Sequence, residues 1–172
     1  MNYAKINKID VANGPGVRVS LFVSGCTHHC KECFNPETWD FAYGEPFGAA
    51  VQEELLQALA PPQIAGLTLL GGEPMEPENQ KGLQPFLARV RERYPQKTIW
   101  CYTGYLFDRD LREGGRAWCS VTDGILSMLD VLVDGEFMIE KKDISLRFRG
   151  SKNQRIIDVK ERLGSGRVIC LE

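Results

Sequence analysis

Three of the chain's six cysteines, Cys26, Cys30 and Cys33, stand within eight residues, directly after the β-rich run Arg18 to Ser24. A fold for this chain has to present that loop as a unit, because three thiols so close can wrap one compact centre. The other cysteines, at 101, 119 and 170, are scattered. A disulfide framework spreads its cysteines more evenly and needs an oxidising compartment, so it does not fit. A structural zinc site wants four closed ligands. Here only His28 or His29 is at hand as a fourth, and both lie inside the first cysteine spacing, a cramped place to close a tetrahedron. A 4Fe–4S cluster on three thiolates leaves one iron open to a substrate. The spacing also departs from the repeated Cys-x-x-Cys steps of a ferredoxin, which disfavours an electron carrier. Iron–sulfur leads; zinc and a metal-free loop stay as alternatives. Both histidines read as solvated loop residues or as donors behind the ligands.

Along the chain, strands alternate with helices. After Arg18 to Ser24, residues Ala49 to Ala60 read as a helix with Val51, Leu55, Leu56 and Leu59 on one face, stopped by Pro61 and Pro62. Leu67 to Leu70 is a short apolar strand ending at Gly71 and Gly72. A second helix carries Leu83, Phe86, Leu87, Val90 and Tyr94 on one side, with Pro85 expected in its first turn. Thr98 to Tyr102 is a further strand. Residues 106–129 are expected to be helical in part, and Asp130 to Val133 is a strand closed by Asp134-Gly135. Arg155 to Val159 and Arg167 to Leu171 are late strand candidates. This alternation predicts one α/β domain over residues 1–172, a parallel sheet with outer helices. A closed eight-fold β/α barrel takes about 250 residues, so a partial, open barrel fits better. In such folds chemistry gathers at the C-terminal ends of the strands, where the cysteines, Gly71-Gly72-Glu73-Pro74 and Asp134 all stand.

With 21 basic and 23 acidic residues, the net charge of -2 advertises neither nucleic acid nor an anionic membrane. Met1 to Asp10 carries Lys5, Lys8 and Asp10 and has no apolar core, so it does not read as a signal peptide. No apolar run approaches the roughly 18 residues a membrane span needs. A cytoplasmic protein is expected.

Cys-x3-Cys-x2-Cys after one strand, followed by Gly-Gly-Glu-Pro after the next, resembles the radical S-adenosylmethionine (SAM) superfamily. Within it, six blocks are similar to the activating proteins of anaerobic ribonucleoside-triphosphate reductases. They are Asn13-Gly-Pro-Gly-Val-Arg18, Leu21-Phe-Val-Ser-Gly-Cys26, Cys33-Phe-Asn35 with Thr38-Trp39, Trp100-x-Tyr-Thr-Gly-Tyr105, Val131-Leu-Val-Asp-Gly135 and Arg149-Gly-Ser-x-Asn-Gln154. The resemblance implies a 4Fe–4S cluster on Cys26, Cys30 and Cys33, whose open iron chelates the amino and carboxylate groups of SAM. One electron then cleaves SAM to methionine and a 5′-deoxyadenosyl radical, which takes hydrogen from a backbone glycine of the partner reductase. An electron donor such as flavodoxin is usual for the family. Many superfamily members place an aromatic residue just before the third cysteine; this chain has Glu32 there and Phe34 just after. Adenine contact is therefore expected from the backbone of residues 32–34 and the Phe34 ring.

Beside that resemblance, Gly71 and Gly72 allow close backbone approach to a ligand. Strand-end carbonyls can then accept from the SAM ammonium, with Cys33 and Glu73 also at the cosubstrate; an ordinary strand-ending turn is the alternative. Asp134 either contacts SAM or the incoming glycine, or is simply a turn residue. Arg18 reads as structural, and Asn13 to Gly16 lacks the ending of a phosphate loop. Lys141, Lys142, Arg147, Arg149, Lys152 and Arg155 form a solvated face or a docking surface for the reductase. Cys101 and Cys170 read as core thiols; Cys119 carries no assignment. The rival readings are an activator of another glycyl-radical enzyme, a small-molecule radical SAM enzyme, a ferredoxin-like carrier and a non-catalytic zinc-binding module.

Overall fold

The computed structural model describes residues 1–167. Their framework is a seven-stranded sheet in the order β3-β1-β2-β4-β5-β6-β7. The strands are β1 (Asn2–Asp10), β2 (Val17–Val23), β3 (Glu45–Pro46), β4 (Ile64–Gly71), β5 (Thr98–Thr103), β6 (Val131–Asp134) and β7 (Arg155–Asp158). Four inner strands, β2, β4, β5 and β6, run parallel. The expectation of a parallel sheet holds for these and fails on either side of them, where β1, β3 and β7 run antiparallel to their neighbours. For β1 the connection explains this. Only crossovers of a dozen residues or more return a chain parallel, whereas six residues join β1 to β2 as a hairpin. Its turn is held by Asp10, whose carboxylate accepts from Ala12 N at 2.8 Å, Asn13 Nδ2 at 2.7 Å and Ser20 Oγ at 2.6 Å.

Helices α1 (Ala49–Leu59), α2 (Pro77–Arg93), α3 (Thr122–Met128) and α4 (Val159–Ser165) pack on one face of the sheet. Side-chain alternation makes the division clean: Ile99, Cys101, Leu132 and Ile157 point into the helical core, and Trp100, Val131, Val133 and Ile156 into a second cluster that Phe148 covers. Leu55, Leu59, Phe86, Leu87 and Val90 are fully buried in the helical core, each contributing about 1.5–3 kcal/mol by burial. Cys101 is a core thiol as expected. Pro85 is not in the first turn of its helix. It is an interior residue of α2, whose start is set by Pro77 at the first position. The late strand expected at Arg167 to Leu171, with Cys170, lies outside the described residues beyond Arg167. No helix among those described is long and apolar enough to cross a membrane.

Candidate functional site

The cysteine loop leaves β2 through Gly25, at φ 98°. Gly25 N–H donates to Thr38 O at 2.8 Å and Cys26 N–H to Trp39 O at 3.2 Å, which seats the loop on the 3-10 turn Pro36–Trp39. His29 and Glu32 take left-handed backbone angles, φ 51° and 59°. These reversals, uncommon for residues with a Cβ, curl the loop so that Cys26, Cys30 and Cys33 line one cavity of about 220 Å³. None of the three is in a disulfide. Burial pushes the Cys26 thiol up to about 12, with the Glu73 and Glu76 carboxylates adding to the rise. Burial, then Glu136 and Cys33, raises Cys30 as well. Three thiolates gathered here therefore call for a strongly cationic centre, and a bound metal deprotonates its thiols outright.

The facing walls come from the ends of the neighbouring parallel strands. Gly71 ends β4 and Gly72 and Glu73 follow it, Gly104 follows β5, and Gly135 and Phe137 follow β6. Gly72 leaves no room for a side chain: a Cβ there lies 2.7 Å from Gly25 O and 2.9 Å from Thr38 O. The Glu73 carboxylate, 1% exposed, is engaged within the protein. It accepts from Met75 N at 2.8 Å and Gly104 N at 2.7 Å, and its Oε2 lies 2.9 Å from His28 Nε2. Phe34 lines the cavity mouth, 71% exposed, against Phe137 and under Lys142. Glu32 is exposed and outside the lining. Asp134 is fully buried beneath the floor and also outside the lining; Arg155 grips it at 2.8 and 2.6 Å and Phe107 N donates to it at 2.8 Å. That pairing takes Arg155 out of the basic face.

His28 is the residue the sequence undervalued. Its side chain is 4% exposed and spans Glu73 and Glu136, with its Nδ1 2.9 Å from Glu136 Oε1. Burial alone would lower its basicity, but the two carboxylates outweigh it and raise the pKa. Glu76 holds the start of the loop, accepting from Thr27 N at 2.8 Å and Thr27 Oγ1 at 2.6 Å. The available signal for Glu73 and Glu136 was their placement just past strand ends.

The residues fit a cluster with a polar organic molecule beside it. Among the described residues, Trp39 Nε1, on the cavity wall, is buried without a protein partner. Among the described residues no three His, Cys, Asp or Glu side chains, the three cysteines included, are grouped as closely as a single metal ion needs. Both ring nitrogens of His28 face carboxylates, which leaves neither for a metal.

The family described as a 4Fe-4S single cluster domain matches residues 12–157. Three relatives bear the name anaerobic ribonucleoside-triphosphate reductase-activating protein. That of Haemophilus influenzae is 44% identical over 91% of this chain and 97% of its own length. That of Escherichia coli is 40% identical over 90% and 96%, and that of enterobacteria phage T4 38% over 91% and 93%. With a cluster-domain match over most of its length and relatives alike from end to end, the chain belongs to the family of anaerobic ribonucleoside-triphosphate reductase-activating proteins.

Proposed function

We propose that the chain is a radical SAM activating enzyme, an oxidoreductase that generates a glycyl radical on an anaerobic ribonucleoside-triphosphate reductase. The observation that carries this reading is the cavity in which Cys26, Cys30 and Cys33 face Gly71, Gly72 and Glu73. The relatives are named for activating that reductase. When bound on the three cysteines, a reduced 4Fe–4S cluster supplies the electron that cleaves SAM to methionine and a 5′-deoxyadenosyl radical, the hydrogen-abstracting species.

The chain's own residues bind and orient. Gly71 and Gly72 bring backbone close to the ligand, so that strand-end carbonyls accept from the SAM ammonium. The backbone of residues 32–34 and the Phe34 ring take the adenine. Trp39 Nε1 supplies a donor for an oxygen atom of the cosubstrate. Leu70, Phe137 and Phe34 form an apolar rim that limits water around a reactive species. Glu73 acts through the backbone it holds, and Asp134 by fixing Arg155. An open β/α barrel is part of the reading, supported by four inner parallel strands with the cavity at their C-terminal ends. So is an external one-electron donor such as flavodoxin, in the cytoplasm, with no nucleic-acid or membrane partner.

The test is anaerobic reconstitution with iron and sulfide, reduction, addition of SAM and assay for 5′-deoxyadenosine, with Cys30→Ala alongside. Formation by the wild type alone, and a glycyl radical signal when the reductase is added, is the expected result. Zinc uptake, or a cluster that never cleaves SAM, would sink the reading.

A further inference from the structure

His28 stands on the loop after β2, yet its side chain reaches the ends of the three strands beside it. Nε2 lies 2.9 Å from Glu73 after β4, and Nδ1 lies 2.9 Å from Glu136 after β6. The ring packs on Tyr105 after β5, centroids 4.4 Å apart, and over Gly104, where a Cβ would come within 2.7 Å of Nε2. Its sequence neighbours Thr27 and His29 are exposed, while its own side chain is 4% exposed. One imidazole thus joins all four C-terminal ends of the parallel strands, and Glu73, Gly104 and His28 itself all line the cavity. A solvated loop histidine needs none of these contacts. Removing the ring takes a partner from a fully buried carboxylate and opens space beneath Gly104, which loosens the wall rather than the thiol ligands.

We propose that His28 is a positioning residue for the cosubstrate: by tying the cysteine loop to the ends of β4, β5 and β6, it holds the glycine wall at the spacing that SAM requires. This rests on the function proposed above and concerns binding, not electron transfer. His28 acts through Glu73 and Gly104, so its loss weakens SAM binding at a cluster that is still loaded.

The experiment reconstitutes wild type, His28→Ala, His28→Asn and Glu136→Ala anaerobically, measures iron and sulfide, and titrates SAM against the electron paramagnetic resonance spectrum of the reduced cluster. Equal iron content is expected in all four. SAM affinity should fall about 10- to 100-fold in His28→Ala, the range for outer partners of a metal site, with partial recovery in His28→Asn. Glu136→Ala should show a smaller loss; its side chain is 45% exposed, so its removal does not threaten folding. The proposal is overturned if both alanine variants bind SAM as tightly as wild type. It is equally overturned if His28→Ala loses its cluster in step with its SAM binding, which would make the histidine a support of the cysteine loop alone. Should His28→Ala not fold, Glu136→Ala decides, and unchanged affinity there overturns the proposal. If the loaded wild type binds no SAM, the proposed function itself falls and takes this inference with it.

Discussion

Arg18 is fully buried at the end of the sheet opposite the cavity, and no carboxylate among the described residues pairs with it. Its guanidinium donates instead to Thr68 Oγ1 at 2.7 Å, Leu67 O at 2.8 Å, Thr98 Oγ1 at 3.0 Å and Thr98 O at 3.0 Å, lacing β2 to β4 and β5. Burial lowers its pKa to about 10, against the raising effects of Tyr102, Asp130 and Asp10, so it stays charged at neutral pH. The fork geometry explains why arginine stands here, since five donors in one plane satisfy acceptors on two strands at once. Arg18→Met takes the guanidinium from the buried acceptors Thr68 Oγ1 and Leu67 O and should cost about 3 kcal/mol. Arg18→Lys should recover little of it, because a compact ammonium cannot reach both strands. Urea midpoints of the metal-free proteins measure this. A loss below about 1 kcal/mol for Arg18→Met would show that the acceptors find other partners. Sequence reading marked Arg18 as structural; its reach across two further strands depends on pairing that no local pattern encodes.

At the scale of elements, α2 shows why some boundaries were hidden. Its first turn buries Asn79 and Gln80 rather than apolar side chains. Asn79 Nδ2 donates to Ser24 O and Glu73 O, each at 2.9 Å, and Gln80 Nε2 to Met75 O at 2.7 Å and Ala117 O at 2.8 Å. Hydrophobic periodicity is blind to such a turn, so the helix seemed to begin near Leu83 and Pro85 seemed to open it. Strand β1 was hidden for a related reason: its edge residues are mostly half-buried and show no strict alternation. Since Pro85 is exposed and interior, it removes a helical hydrogen bond without a packing return. Pro85→Ala should stabilise the protein by about 2 kcal/mol, an interior proline costing about 3 less the roughly 0.4–1 that its rigidity removes from the unfolded chain. A fall in melting temperature would instead mean that Pro85 is needed for the packing of α2 on α3. The long connection from β5 to α3 depends on Asp110. Burial would raise its pKa, but Arg109, the Leu106 N–H and Arg116 outweigh that and hold it at about 2. With the folded value below the ordinary 3.8, its stabilisation is complete above that pH and is lost as pH falls through about 2. The stability gap between wild type and Asp110→Asn should therefore be widest at pH 5 and close on approach to pH 2. A gap independent of pH would assign the effect to shape alone.

For the whole molecule, each parallel strand delivers one short piece to the cavity: the cysteines after β2, Gly71 and Gly72 at the end of β4, Gly104 after β5 and Gly135 after β6. The cysteines and Gly71-Gly72 were legible because they are chemically marked. What joins them was not. His28 meets Glu73 at 45 residues' separation and Glu136 at 108, and neither partner is singled out by composition or period. Asp134, which reads from the sequence either as a contact to SAM or the incoming glycine or as a turn residue, is buried under the site and engaged by Arg155. A cavity assembled from four strand ends makes ligand binding and stability one quantity. Any ligand that binds only the folded form stabilises it by an amount set by concentration over Kd, about 2.7 kcal/mol at a hundredfold excess. Loaded wild type should melt higher when SAM is added. Removing the cluster with a chelator, or Cys30→Ala, should abolish the SAM-dependent rise, because the cysteine wall then offers no open iron across from the glycine wall. If SAM raises the melting temperature of the metal-free protein equally, the glycine wall binds it unaided. The cysteines would then contribute chemistry but no affinity, contrary to a site whose two walls act together.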